Sequence, residues 1–185
     1  MQFTQEELND LIKRHAFNWM PKTDLSGANL SGVDLSRCVL YNSNLSKANL
    51  TGANLIGADL METNLSKATL VRAELRNAKM EKADLSGANL MQAKTQTAYM
   101  NKAILCKADL SGANLSYAYL NDANLRHATL IGANLNSTDL NGANLDGADL
   151  GHTDLFRTNL REVKYSRSTK WPLNFNPKET GAILV

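Results

Sequence analysis

The chain has 185 residues, 43% of them hydrophobic but only 6% aromatic, and a formal net charge of +2. That length suits one domain with small end pieces, and so small a charge does not on its own argue for nucleic acid or an anionic membrane as a partner. No stretch approaches the roughly 18 apolar residues that span a bilayer. Cys38 and Cys106 are too few for a disulfide framework or a metal cluster, and they fit a reducing compartment. Leu, Ala and Asn dominate, a bias that points to internal repeats.

The opening "MQFTQEELNDLIKRHAFNW" carries Glu6, Glu7 and Asp10 and no continuous apolar core. It is not read as a secretory signal, and a cytoplasmic location is expected. The spacing predicts a helix from Gln5 to about Asn18. Thr4 stands as N-cap with Glu7 three residues on, and Phe3 with Leu8 makes a hydrophobic staple. Leu8, Leu11, Ile12, Ala16 and Trp19 form one apolar face, and Pro21 bars continuation. That face is expected to lie across the end of the structure that follows. A partner-binding amphipathic helix is the alternative.

From Leu25 to Leu160 a leucine falls on nearly every fifth residue: 25 of 28 positions are Leu, the exceptions being Met80, Thr95 and Met100. Two residues earlier stands a small residue, Ala in 20 cases, and the residue just before the leucine is most often Asn or Asp. The unit is A-(N/D)-L-x-x, and "ADLSGANL" occurs both at 83–90 and at 108–115. An α-helix cannot use this period: at about 100° per residue, successive leucines drift by about 140° round the axis and bury nowhere together. A flat strand sends successive leucines to opposite faces. The pattern works only if the chain turns a corner once per unit, with the first and third positions inward and the other three outward. Frequent Gly at the last position suits a turn of unusual φ. A chain that turns repeatedly in one sense is a β-solenoid, whose stacked coils bond along the axis and bury a column of leucine.

The end, "TKWPLNFNPKETGAILV", breaks the period. Asn176-Pro177 is predicted to start a short turn or helix with Glu179 placed for capping. The apolar "AILV" is expected to finish the last coil.

With 28 units in one frame, residues 23–163 resemble the pentapeptide repeat proteins. The resemblance implies an all-β, right-handed quadrilateral β-helix with four units per coil. That makes about seven coils and a rod on the order of 34 Å long, at roughly 4.8 Å between strands. The expected division is an N-terminal helical cap over 1–22, the β-helix over 23–163 and a C-terminal cap over 164–185. The tail is similar to the "TKWP…F-x-P…GA-x-LV" ending of pentapeptide repeat proteins common in cyanobacteria.

No catalytic constellation is visible, and no catalytic, cofactor-binding or metal-binding residue is assigned. His15, His127 and His152 fall apart from one another, and neither HxxxH, C-x-x-C nor G-x-S-x-G occurs. Asp and Asn alternate freely at one repeat position, which reads as a corner role. The column Ser26, Ser46, Ser66, Ser86 reads as a turn ladder rather than a row of nucleophiles.

The informative places are imperfect repeats. At 20 residues per coil, three of the four columns before the leucines are mostly Asn or Asp. The fourth reads Val39, Asp59, Lys79, Tyr99, Tyr119, Asp139, Asn159. Tyr99 and Tyr119 are predicted to stack on adjacent coils, with Tyr117 at the neighbouring corner and Lys82 and Lys102 stacked just past them. Thr95 replaces a core leucine in the same zone. Residues 63–108 carry eight Lys/Arg against three Asp/Glu, a net of +5, and residues 109–162 carry three against seven, a net of −4.

Lys79, Lys82, Tyr99, Lys102, Tyr117 and Tyr119 are therefore the candidate contact patch, since Tyr is enriched at interface centres. The plainer reading is two tyrosines covering a flat face among solubilising lysines. The function expected is a non-enzymatic interaction scaffold for an unknown protein partner, a monomer or weak dimer, without cofactor, membrane or nucleic acid. The resemblance implies two alternatives. One is a DNA mimic that binds a type II topoisomerase such as gyrase; the other is a regulator of cell differentiation in cyanobacteria.

Overall fold

The computed structural model of the protein describes residues 4–13 and 19–185. Its repeating element is the corner. In each unit the N–H two residues before a leucine donates to the carbonyl of the preceding leucine, as Ala28 does to Leu25 at 3.1 Å. Between them the last residue of the unit takes positive φ. From Lys22 to Glu162 every such position lies between +55° and +70°. Only the third residue of the four-residue turn has positive φ, the signature of a type II turn. Gly27, at +68°, meets this without cost.

The Asn or Asp before the leucine completes the corner. Its Oδ1 accepts the N–H two residues on, as in Asp24 to Ser26 (3.0 Å), Asn44 to Ser46 (3.1 Å) and Asp84 to Ser86 (2.9 Å). Both residue types accept equally well, which explains their free alternation. Where Thr or Ser replaces the small inward Ala, its hydroxyl finds a buried carbonyl: Thr63 donates to Leu40 and Thr138 to Leu115. A hydroxyl buried without such a partner would cost more than the methyl it replaces.

Four corners return the chain to its starting column. Parallel bridges join each residue before a leucine to the residue 20 further on, in four columns that begin at Trp19, Asp24, Asn29 and Asp34. The register holds to Asn144↔Lys164 and slips by one residue at Asp149↔Lys170. The leucines and small residues point inward as expected. Their column is buried almost without exception, and it includes Thr95, whose hydroxyl donates to Asn114 O at 3.0 Å.

At the N-terminal end, helix α1 spans Gln5–Lys13. Glu7 N–H donates to Thr4 Oγ1 at 3.2 Å, and Thr4 N–H returns the bond to Glu7 Oε2 at 2.7 Å, so the expected capping box is present. Leu8 is fully buried in the core and Leu11 packs against it. The Gln5 amide receives the Asn29 N–H and donates to the Asn29 carbonyl, both at 3.0 Å. It supplies the donor and acceptor that a preceding coil would have offered.

The proposed staple residue Phe3, and Ala16, Asn18 and His15, lie outside the described residues. Trp19 does not belong to the apolar helix face. It is 69% exposed and bridges Val39, one unit ahead of the repeat, so it stands in the strand column where side chains point outward.

The C-terminal end closes differently. Strand β1 (Lys164–Tyr165) pairs in parallel with β2 (Ile183–Leu184). Between them Pro177–Glu179 forms a 3₁₀ turn, with Asn176 Oδ1 accepting Lys178 N–H at 3.2 Å and Asn176 Nδ2 donating to Glu179 Oε1 at 2.7 Å. Tyr165 meets Trp171 edge to face, with centroids 5.5 Å apart and 84° between the planes, and Trp171 stacks on Phe175 at 5.2 Å. Trp171 and Phe175 pack against the core. "AILV" does add a strand, and Ala182 packs against the core beside Trp171 and Phe175, but Ile183, Leu184 and Val185 remain largely exposed.

Candidate protein-contact face

Tyr99 and Tyr119 occupy the turn-capping position of their units. A phenol cannot accept the N–H two residues on as Asn and Asp do, so each tyrosine gives up a corner bond worth about 0.5–1.5 kcal/mol. The same holds for Lys79, and for Ile104, an exposed apolar side chain on the adjoining face. These four lie in the middle of the rod, as does Lys94, while Val39 is a further exception toward its N-terminal end. Ile104 was missed in the candidate patch, and its signal was legible: a β-branched residue where its column otherwise has mostly Asn or Asp.

The bridges Asp59↔Lys79↔Tyr99↔Tyr119↔Asp139 place these residues in one straight column. The tyrosine rings lie 5.2 Å apart with 9° between their planes. Parallel rings this close must overlap rather than lie edge to edge in one plane. Each ring therefore spends one face on its neighbour. Both remain about two-fifths exposed, at 40% and 42%. Among the described residues neither phenol hydroxyl takes part in a hydrogen bond.

The corners flank this column. Tyr117, 59% exposed, sits at one of them with φ +60°. Lys82 and Lys102 share the other, on successive coils. Lys82 Nζ is bound to Glu62 Oε1 at 3.1 Å, and that bond holds the Glu62 carboxyl below the usual range. Its charge is thus balanced within the chain. Lys79 and Lys102 make no ion pair among the described residues. The structure sets these six residues on one column and its two corners, and of the three lysines only Lys79 and Lys102 are left unbalanced by the described residues.

Elsewhere the basic middle is partly neutralised. Glu74 takes Lys94 at 2.6 Å and Arg76 at 3.3 Å. His127 and His152 lie in different columns, and among the described residues no group of three or more His, Cys, Asp or Glu could hold a metal ion. Cys38 is buried, with its thiol pushed up to about 12 by that burial. Among the described residues no helix is long and apolar enough to cross a membrane.

The sequence matches the family profile described as pentapeptide repeats in eight copies, over residues 22–57, 58–94, 98–130 and 123–161. No curated protein is significantly similar in sequence. Among solved structures, HetL from the cyanobacterium Nostoc sp. strain PCC 7120 is a pentapeptide repeat protein involved in heterocyst differentiation regulation. It shares 32% identity over 89% of this chain and 82% of its own, with a TM-score of 0.52. A trypsin-treated form of QnrB1, a plasmid-mediated fluoroquinolone resistance protein, shares 17% identity over 90% of this chain and 89% of its own, with a TM-score of 0.55, a likeness of fold alone. The chain belongs to the pentapeptide repeat family, whose members fold as right-handed quadrilateral β-helices.

Proposed function

We propose that the protein is a cytoplasmic, non-enzymatic scaffold of about seven coils, closed by α1, that binds another protein through the Tyr99–Tyr119 face. The observation that carries this is the tyrosine stack. It occupies corner positions that would otherwise be capped by Asn or Asp, so the rod forgoes local stability to present two aromatic side chains and their hydroxyls. A rigid rod also loses little conformational freedom on binding. An affinity pull-down from the native host tests the reading. The expected result is that Tyr99→Ala with Tyr119→Ala loses at least one partner retained by the unaltered protein. Retention of every partner would sink it.

The likeness to HetL favours a second reading, in which the partner belongs to the control of cell differentiation. The face and the test are the same; the identity of the captured partner separates the two. A DNA mimic directed at gyrase has less support. It needs a long acidic face, whereas the middle of this rod is basic. A supercoiling assay without inhibition or protection at micromolar protein would retire it.

A further inference from the structure

The contact face has a symmetry that a heterologous partner does not require. Along the rod its central column runs Lys79, Tyr99, Tyr119, Asp139 on four successive coils. Read backwards, each residue is replaced by its complement: Asp for Lys, Tyr for Tyr. Consider a second rod laid face to face and antiparallel, related by a two-fold axis in the plane of contact and perpendicular to the rods. If the axis passes level with the midpoint of the tyrosine pair, Lys79 meets Asp139 of the second copy and Tyr99 meets its Tyr119. The operation returns both contacts in duplicate. We propose that this face docks a second copy of this chain, antiparallel, as a two-fold dimer. The proposal rests on the same face being a protein-contact surface and names its occupant.

The corners agree with the axis. This operation keeps each corner opposite the same corner, so Lys102 faces Asp122 of the second copy. Among the described residues Lys102 has no ion pair of its own. At the other corner Ile56 faces Phe156, which stands exposed with Arg157 5.0 Å from its ring. One like-charged pair results, Glu62 against Glu162. Each is already balanced in its own chain, by Lys82 at 3.1 Å and Arg161 at 3.3 Å. Asp139 spends its Oδ1 on Asn141 N–H and Asn159 Nδ2 and keeps Oδ2 for the partner.

The chemistry of the centre fits as well. The overlapped rings turn edges and unbonded hydroxyls outward, which suits two like pairs meeting hydroxyl to hydroxyl better than a ligand that needs a free ring face. On the larger scale, the zone 63–108, net +5, lies over the zone 109–162, net −4, of the second copy, twice. The Glu74–Lys94 column offers no such surface, because those two side chains are bound to each other at 2.6 Å.

A strip of six coils is about 30 Å long and roughly 15–20 Å wide, so each copy covers on the order of 500 Å², the range of weak, transient interfaces. Micromolar or weaker dissociation is expected.

Sedimentation velocity from about 10 to about 500 µM reads this range. The unaltered protein is expected to self-associate. Lys79→Asp alone and Asp139→Lys alone should each weaken association at least tenfold, since each sets two like charges against each other. Mixed together, these two variants should form a 1:1 heterodimer, because both contacts become Asp–Lys again. Circular dichroism confirms that each variant is folded. A monomer at the highest concentration, single variants that associate normally, or a mixture that does not recover would each overturn the proposal. If the protein is monomeric while the double tyrosine variant still loses a host partner, self-docking fails and the contact-surface reading stands.

Discussion

At the scale of single residues, the protein depends on what each position of the five can tolerate. The leucine position is fully enclosed, and burying such a side chain contributes about 1.5–3 kcal/mol. Leu110→Asp should therefore abolish folding, while Leu110→Met should cost less than about 1.5 kcal/mol, since Met80 and Met100 already fill equivalent sites. Thr95 is the informative exception. Its hydroxyl is satisfied by Asn114 O, yet that carbonyl already accepts Thr95 N–H at 2.8 Å. Thr95→Leu leaves no carbonyl unpaired and refills the column between Leu75 and Leu115. Thermal denaturation should show a midpoint several degrees higher, on the order of 1–2 kcal/mol. A lowered midpoint would mean the coils have closed around the threonine.

The fifth position carries a different tension. Twenty of the 29 such positions from 22 to 162 are not glycine, yet all take positive φ. The corner geometry overrides a preference worth about 1–2 kcal/mol per residue. That price is met by the turn bond, the ladder bond and the leucine on either side.

At the scale of elements, the ends explain how a stack of equivalent coils stops. A bare first coil would leave its backbone donors and acceptors unpaired. Gln5 answers this with a side-chain amide that has the same donor and acceptor as a peptide group. Gln5→Ala should speed hydrogen exchange of the Asn29 amide and its coil by about tenfold, with no change in the middle of the rod. Unchanged exchange at Asn29 would show that α1 is held by Leu8 and Leu11 alone.

The same element shows where sequence periodicity misled. Leu8, Leu11 and Trp19 fit one helical face, but Trp19-Met20 also fits the repeat one unit upstream of Asp24-Leu25. The ladder to Val39 decided between them, because a strand position adjoining a completed coil gains backbone bonds that a longer helix would forfeit.

At the scale of the whole molecule, charges tie coils together at a separation of about one turn. Ser166 and then Arg126 hold the Asp146 carboxyl below its ordinary range, Lys170 and the Gly151 N–H do so for Asp149, and Lys82 does so for Glu62. Their folded values lie below the unfolded ones. The stability they confer is therefore present above the unfolded values of about 4 and is lost as pH falls through the lower folded values. Melting temperature should be flat from neutrality to about pH 5 and drop between about pH 4 and 2. Asp146 and Asp149 lie close together, so amides near the C-terminal end should lose protection first. Melting curves that are unchanged at about pH 3 would show that these exposed pairs do not contribute.

Some of this was written in the sequence alone. The period of five demands a corner per unit, inward leucine and alanine, and polar capping at the second place, because burial and turn geometry are settled within five residues. Which units stand on one another is not contained in any unit. It follows from the angles of four successive turns summed round the coil, and it appears only as the bridges between residues 20 apart. That sum set Tyr99 on Tyr119 and Lys82 on Glu62. The tyrosine pair could be foreseen once the family supplied four units per coil. The balance of Lys82 by Glu62 was equally spaced in the sequence, but side-chain reach and direction made the ion pair, and only the folded coil brings them within 3.1 Å.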